Sequence, residues 1–321
     1  MSEGFRCEHI TKNLNGYRIH DIGFSLEPGT VLGVVGVNGC GKTTLLRVLI
    51  GSYRVTDKPS DSGECRLDGF HFTKDVKEYR KRIAYVMQEC PFRTDMMAEQ
   101  VGEVYGPYYE SFDPRGYLAR LKEYGVPERR RLKKMSKGQQ LRVQLAFAES
   151  REVSLYVMDE PMGYFDPEFR EVFYGKVRAI AATEKASVIL SSHLVTELET
   201  VADQLLWMKR SVCEGTRTEG SRGMEEGTVR FCGGIDELRA MYRMVSAEAE
   251  EIEALPKELV VGRRIRENHC EALLRMPRDN EGKPDGGLVL PQGIADRCRF
   301  ADLQEIMYYT EKAEKAGGTE E

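Results

Sequence analysis

The eight cysteines include no Cys-x-x-Cys spacing. That leaves neither a zinc ribbon nor a disulfide framework, and reduced thiols are expected. No apolar run approaches the roughly 20 residues that span a bilayer; the longest candidates are short stretches such as residues 31–37. The opening Met1-Ser2-Glu3-Gly4-Phe5-Arg6-Cys7 lacks the basic-then-apolar order of a secretion signal. A large excess of one charge is also missing, since 47 Lys and Arg face 52 Asp and Glu for a formal net charge of −5. General attraction to nucleic acid or anionic lipid is therefore not expected. No internal repeat is visible. What remains is a chain of 321 residues, 41% of them hydrophobic. That is enough for about two domains with packed cores, expected to be soluble and intracellular.

Short apolar runs alternate with stretches of helical period, the pattern of a mostly parallel sheet covered by helices. Val31-Leu32-Gly33-Val34-Val35, Leu155-Tyr156-Val157-Met158 and Ser187-Val188-Ile189-Leu190 read as buried strands. Residues 167–182 carry helical spacing (Phe169, Val172, Phe173, Val177, Ile180) behind Asp166 as a cap. Residues 89–152, rich in Tyr, Arg and Glu in their first part, read as a helical insertion between strands. Composition shifts after Trp207-Met208-Lys209-Arg210, and the polar, Gly-rich residues 213–227 read as a turn or linker. Two domains are expected, 1–215 and 216–321. In the second, 235–245 and 301–312 read as helices, 228–231 and 287–290 as strands, and 278–287 as a loop. The last residues, 316–321, are expected to fray.

Chemistry enters at Gly36-Val37-Asn38-Gly39-Cys40-Gly41-Lys42-Thr43-Thr44, which fits GxxxxGK[ST] after a strand and before a helix. The glycines let backbone N–H groups curl around a phosphate at a helix N-terminus, whose dipole favours an anion. Lys42 supplies a point charge between phosphates, and the Thr43 hydroxyl suits Mg²⁺. Cys40, beside that helix end and Lys42, is expected to carry a reactive thiolate. Further on, the strand at 155–158 ends in Asp159-Glu160-Pro161. A strand's carboxyl end beside a phosphate loop is where a ligand site belongs. Adjacent strand residues face opposite ways, so Asp159 suits Mg²⁺ and Glu160 suits general base on an attacking water.

The order phosphate loop, Gln88, Met135-Ser136-Lys137-Gly138-Gln139, Asp159-Glu160-Pro161, Gly163-Tyr164-Phe165-Asp166 and Ser191-Ser192-His193 resembles the ATP-binding subunits of ABC transporters. The resemblance covers residues 29–193, about half the chain. Ser136, Gly138 and Gln139 match the family's Leu-Ser-Gly-Gly-Gln segment, from which Met135 and Lys137 depart.

The resemblance implies an ATPase core with a mostly parallel sheet, an inserted helical subdomain and a small C-terminal α+β accessory domain. It implies ATP and Mg²⁺ as cofactors, with Thr43, Gln88 and Asp159 at the metal. Glu160, His193 and Gln88 would then be catalytic. Ser136, Gly138 and Gln139, opening a helix over residues 139–150, would face the ATP of a second ATPase subunit. Asp166 would link the two sites across that dimer. A separate membrane-spanning subunit is implied, holding the chain at the cytoplasmic face, with Tyr105, Tyr108, Tyr109 and Phe112 as a docking groove or as core packing. The family's adenine-stacking aromatic falls here at Asn13 or Leu14, with Tyr17 the nearest ring. Residues 216–321 resemble the appended domain of some bacterial drug, peptide or lipid-type exporter ATPases. A soluble ABC ATPase that remodels a protein or nucleoprotein complex is the alternative.

Overall fold

The computed structural model describes residues 3–55, 58–212, 224–266, 269–276 and 290–317. They form two compact units, Met1–Cys232 and Gly233–Glu321. In the first unit the chain opens with β1 (Phe5–Leu14), β2 (Tyr17–Leu26) and β3 (Val31–Val35), followed by α1 (Lys42–Leu49). Next come β4 (Ser62–Leu67), β5 (Phe70–His71), α2 (Val76–Lys81) and β6 (Ile83–Val86). The helical insertion holds α3 (Ala98–Tyr105), α4 (Pro114–Glu123) and α5 (Lys137–Ala148). It returns to β7 (Leu155–Asp159), α6 (Pro167–Ala182), β8 (Ser187–Ser191), α7 (Val195–Leu198), β9 (Gln204–Val212) and β10 (Glu225–Gly234).

These strands make one ten-stranded sheet in the order β5-β4-β1-β2-β10-β9-β3-β8-β7-β6. The strands β9, β3, β8, β7 and β6 run parallel, as expected. The sheet is nonetheless mixed, because β1, β2, β4 and β5 add an antiparallel arm. Strands β3, β7 and β8 are buried along their whole length. Helices on both faces require that, and it explains their unbroken apolar runs.

The insertion is held by rings. Phe147 of α5 packs against Phe92, Tyr109, Phe112 and Tyr117 at centroid separations of 5.0 to 6.0 Å. Tyr105 packs on Phe92 at 5.1 Å, whereas Tyr108 stays 75% exposed. Of the expected docking aromatics, three therefore belong to the lobe's own packing.

Three expectations change in the region after β9. Glu225, Glu226 and Gly227 pair with Tyr17, Arg18 and Ile19 as the start of β10. The expected boundary at 215/216 therefore moves to 232/233, because this strand completes the first sheet. The presumed helix 235–245 stops early as α8 (Ile235–Ala240) and continues as β11 (Tyr242–Glu248). Residues 213–223, the loop at 278–287 and most of the presumed strand at 287–290 lie outside the described residues.

The second unit continues with α9 (Ala249–Glu253), β12 (Val260–Arg266), β13 (His269–Arg275), α10 (Gln292–Ala295), β14 (Cys298–Phe300) and α11 (Leu303–Gly317). Its sheet order is β12-β13-β11-β14, antiparallel throughout. Among the described residues no helix is long and apolar enough to cross a membrane.

Candidate active site

The presumed site residues collect at the carboxyl ends of β3, β7 and β8, the edge where an open α/β sheet binds ligands. After β3 the chain turns into α1 with Gly41 at the cap and φ of 96°. A Cβ at Gly41 would run into the Tyr17 hydroxyl, so both the conformation and the space demand glycine. Lys42 is buried, and its Nζ donates to the Gly36 carbonyl at 2.8 Å. Asn38 and Gly39 are exposed on the loop, with Val37 and Thr44 half-exposed. Cys40 is fully buried within the core cluster that includes Leu45 and Leu46. A reactive thiolate at Cys40 is therefore not supported, because the side chain packs inward while the backbone forms the loop.

Strands β7 and β8 run in register, with Asp159 beside Ser191. The Ser191 hydroxyl donates to Asp159 Oδ1 at 2.8 Å and accepts the Glu160 N–H at 3.0 Å. Thr43 Oγ1 donates to the other oxygen, Asp159 Oδ2, at 2.9 Å. Both oxygens of this buried carboxylate are thus satisfied. Glu160 takes a left-handed φ of 47°, a conformation that costs a non-glycine residue about 1 kcal/mol or more. Its carboxylate gathers three groups. Gln88 Nε2 donates to Oε2 at 3.4 Å, His193 Nδ1 lies 3.4 Å from the same oxygen, and Lys42 Nζ lies 3.9 Å from Oε1. The Glu160 side chain is 23% exposed, so a small molecule can reach it.

A second group forms where α5 and α6 begin. Ser136 caps α5 by accepting from the Gln139 N–H at 3.2 Å, and the Gln139 side chain accepts the Ser136 N–H at 3.2 Å. This reciprocal capping box starts the helix at Lys137, earlier than the expected 139. A Cβ on Gly138 would strike the Tyr164 carbonyl, so α5 can approach that turn only with glycine there. Asp166 caps α6 by accepting from Phe169 N–H at 2.9 Å and pairs with Arg142. The Phe169 N–H first, and then Arg142, hold the Asp166 carboxyl below the usual carboxylate range.

Gln88 joins the two groups. Its carbonyl accepts from Lys137 Nζ at 3.2 Å, and its side-chain oxygen lies 3.5 Å from the Tyr164 hydroxyl. Gln144 of α5 fixes the backbone just before it, accepting from Met87 N–H at 2.9 Å and donating to Met87 O at 3.0 Å. The roles of Gln144, Ser191 and Arg142 were not foreseen. The sequence signal for Ser191 was its position at a buried strand end beside His193; for the other two there was none, since their partners are tertiary.

No exposed ring stands at the place expected for base stacking. The Asn13 backbone N–H donates to Asp61 at 2.8 Å, and its side chain donates to the Ser60 carbonyl at 2.9 Å. Tyr17 has its hydroxyl buried beside Gly41, and burial raises its pKa well above the usual phenol value.

Residues 19–163 match the family model of the ABC transporter. That stretch of the chain is similar to the ATP-binding domain of ABC transporters. The chain is 28% identical over 204 residues to the Nod factor export ATP-binding protein I of Paraburkholderia xenovorans, covering 61% of this chain and 65% of that protein. It is 26% identical over 241 residues to the ABC-type transporter ATP-binding protein EcsA of Bacillus subtilis, covering 73% and 88%. Against the zinc import ATP-binding protein ZnuC of Cereibacter sphaeroides it is 29% identical over 227 residues, covering 70% and 82%. Two solved ABC folds are similar. An ATP-binding subunit of an ABC transporter superposes with TM-score 0.60 at 20% identity over 74% of this chain and 92% of its own. A dimeric post-hydrolysis cassette bound to ADP and Pi gives 0.55 at 18% over 63% and 93%.

Proposed function

We propose that the chain binds and hydrolyses ATP as one of a pair of ATPase subunits and thereby powers a separate membrane-spanning transporter. The observation that carries this reading is the Glu160 carboxylate, reachable from solvent and held among Gln88, His193 and Lys42, next in sequence to the buried Asp159 that accepts from Thr43. Phosphoryl transfer to water needs positioned groups rather than covalent help. Lys42 and the N-terminal amides of α1 would cradle the phosphates. Glu160 would take the proton of the attacking water, and His193 would hold the γ-phosphate end in line. Thr43, Gln88 and Asp159 offer only oxygen donors, which suits Mg²⁺, with Asp159 acting through ligated water. The ion would neutralise charge on the β- and γ-phosphates.

Ser136, Gly138 and Gln139, at the start of a capped helix, would complete the ATP site of the second subunit, with Asp166 linking the sites. Closing and opening of that pair is the mechanical output. Likeness to a Nod factor export subunit and the second, appended unit favour export, with the chain at the cytoplasmic face of the membrane through its partner. The appended unit would serve dimer contact or regulation.

The test is Glu160→Gln. It should bind ATP as the wild type does, lower kcat about 10²- to 10⁴-fold, and accumulate a closed dimer. A wild-type turnover rate would refute the assignment.

A further inference from the structure

The pairing of β7 with β8 ends at Asp159 and Ser191. Glu160 and His193 both lie beyond it, on segments that then part. Glu160 leads through the turn Pro161–Tyr164 to Phe165 and α6. His193 leads into α7, a single helical turn. The His193 side chain is 50% exposed, with Glu160 3.4 Å from its Nδ1. Its placement therefore depends on the backbone that carries it. The two segments are neighbours here, since a Cβ on Gly163 would stand 3.7 Å from His193 Cε1.

One side chain spans the parted segments. Arg170 Nε donates to the Phe165 carbonyl at 3.1 Å, and its Nη1 donates to Glu197 Oε1 at 3.0 Å. Glu197 belongs to α7, four positions after His193 and beside the fully buried Leu198. Its side chain is only 11% exposed, and a carboxylate so enclosed is costly without a partner. Burial raises its pKa, while Arg170 first, then His193 and Ser192, act against that. His193 is thus near enough to sense the same carboxylate. The link uses two nitrogens of one rigid guanidinium, which fixes the spacing between the Phe165 carbonyl and Glu197.

We infer that Arg170 is a positioning residue for His193. By tying the turn after Glu160 to the helix after His193, it holds these two side chains at the separation that turnover needs. This rests on the reading of Glu160 and His193 as the groups around the attacking water. A misplacement of about 1 Å can cost roughly 10² in rate. A tie behind the site can therefore govern kcat while the affinity for ATP stays as it is.

The experiment uses the full chain and Arg170→Lys. The five histidine Cε1–H resonances are recorded without nucleotide, that of His193 being assigned with His193→Gln. Lysine keeps the charge beside Glu197, but a single ammonium cannot also hold the Phe165 carbonyl. The His193 resonance should move while those of His9 and His20 stay in place. The same variant should lower kcat about ten-fold and leave the Kd for ATP within about two-fold of the wild type. Glu197→Gln, which keeps the shape of the acceptor, is the second variant and should move the same resonance. An unmoved His193 signal in both variants, a wild-type kcat, or a kcat loss matched by an equal loss of ATP affinity would each overturn the inference. So would a shift of all five signals alike, the mark of a general loss of fold. Because the resonance is read without turnover, the two readings fail separately. A wild-type chain that hydrolyses no ATP faults the functional reading, and normal hydrolysis with a silent His193 in the variants faults this inference.

Discussion

The Ser191 hydroxyl and the Asp159 carboxylate share a 2.8 Å hydrogen bond, and the same hydroxyl accepts the Glu160 N–H at 3.0 Å. One side chain on β8 therefore sets the position of both acids at the end of β7. Ser191→Ala leaves a buried carboxylate oxygen unpaired, which should cost about 1–3 kcal/mol of stability. It should lower kcat more than it raises KM for ATP. Steady-state kinetics beside thermal unfolding checks both parts, and unchanged kcat would show that Ser191 does not position Glu160.

Gly138→Ala tests a contact rather than a charge. The added methyl meets the Tyr164 carbonyl, so the start of α5 must withdraw from that turn. Overpacking of this kind costs about 1–3 kcal/mol. Loss of ATPase activity with ATP binding retained is expected, measured by turnover and by equilibrium nucleotide titration. Serine at the position should fail alike.

The proposed sharing of sites between subunits can be read by mixing. Lys42→Ala chains and Ser136→Arg chains should each be inactive. A mixed dimer carries both lesions in one composite site and leaves the other intact, so activity should return on mixing. Wild-type activity should also rise more than linearly with protein concentration until dimers saturate. Linear dependence, with hydrolysis by a verified monomer, would exclude sharing.

Glu149 ends α5 with its carboxylate buried between Tyr124 and Arg120. Burial raises its pKa above the ordinary 4.5, outweighing the Tyr124 hydroxyl and nearby cations. The folded state thus favours the protonated form relative to the unfolded chain. Its contribution is fully present below 4.5 and is lost as pH rises through the folded value. Glu149→Gln should therefore gain in Tm over the wild type as pH climbs from 4.5 to 8. A constant difference across that range would rule the linkage out.

Local patterns made the edge that gathers Lys42, Asp159 and Glu160 readable from the sequence. Strands β3, β7 and β8 are buried on both faces and show it as unbroken apolar runs, and the glycines of the phosphate loop sit where backbone conformation demands them. Residues 235–245 misled for a physical reason. Ile235, Leu238 and Tyr242 keep helical spacing, while Met244, Val245 and Ala247 are buried by strand pairing to β13. Pairing also decided where the first unit ends, since β10 joins β2 across more than 200 positions of sequence, as in the Arg18–Glu226 hydrogen bond. Phe147, a lone aromatic in its helix, gave no sign of being the hub of four rings, because its neighbours come from separate segments.

Strand β7 is only five residues long, about 17 Å from end to end. Tyr156 near its start lines a cavity of about 640 Å³ that Arg151 also lines, and Asp159 at its finish carries the hydrogen bonds of Thr43 and Ser191. Because all five residues are buried and paired on both sides, the strand behaves as a short rigid rod. One consequence is modularity. Substitutions around the near end can change the wall of that cavity while the hydrogen bonds at the far end stay in place.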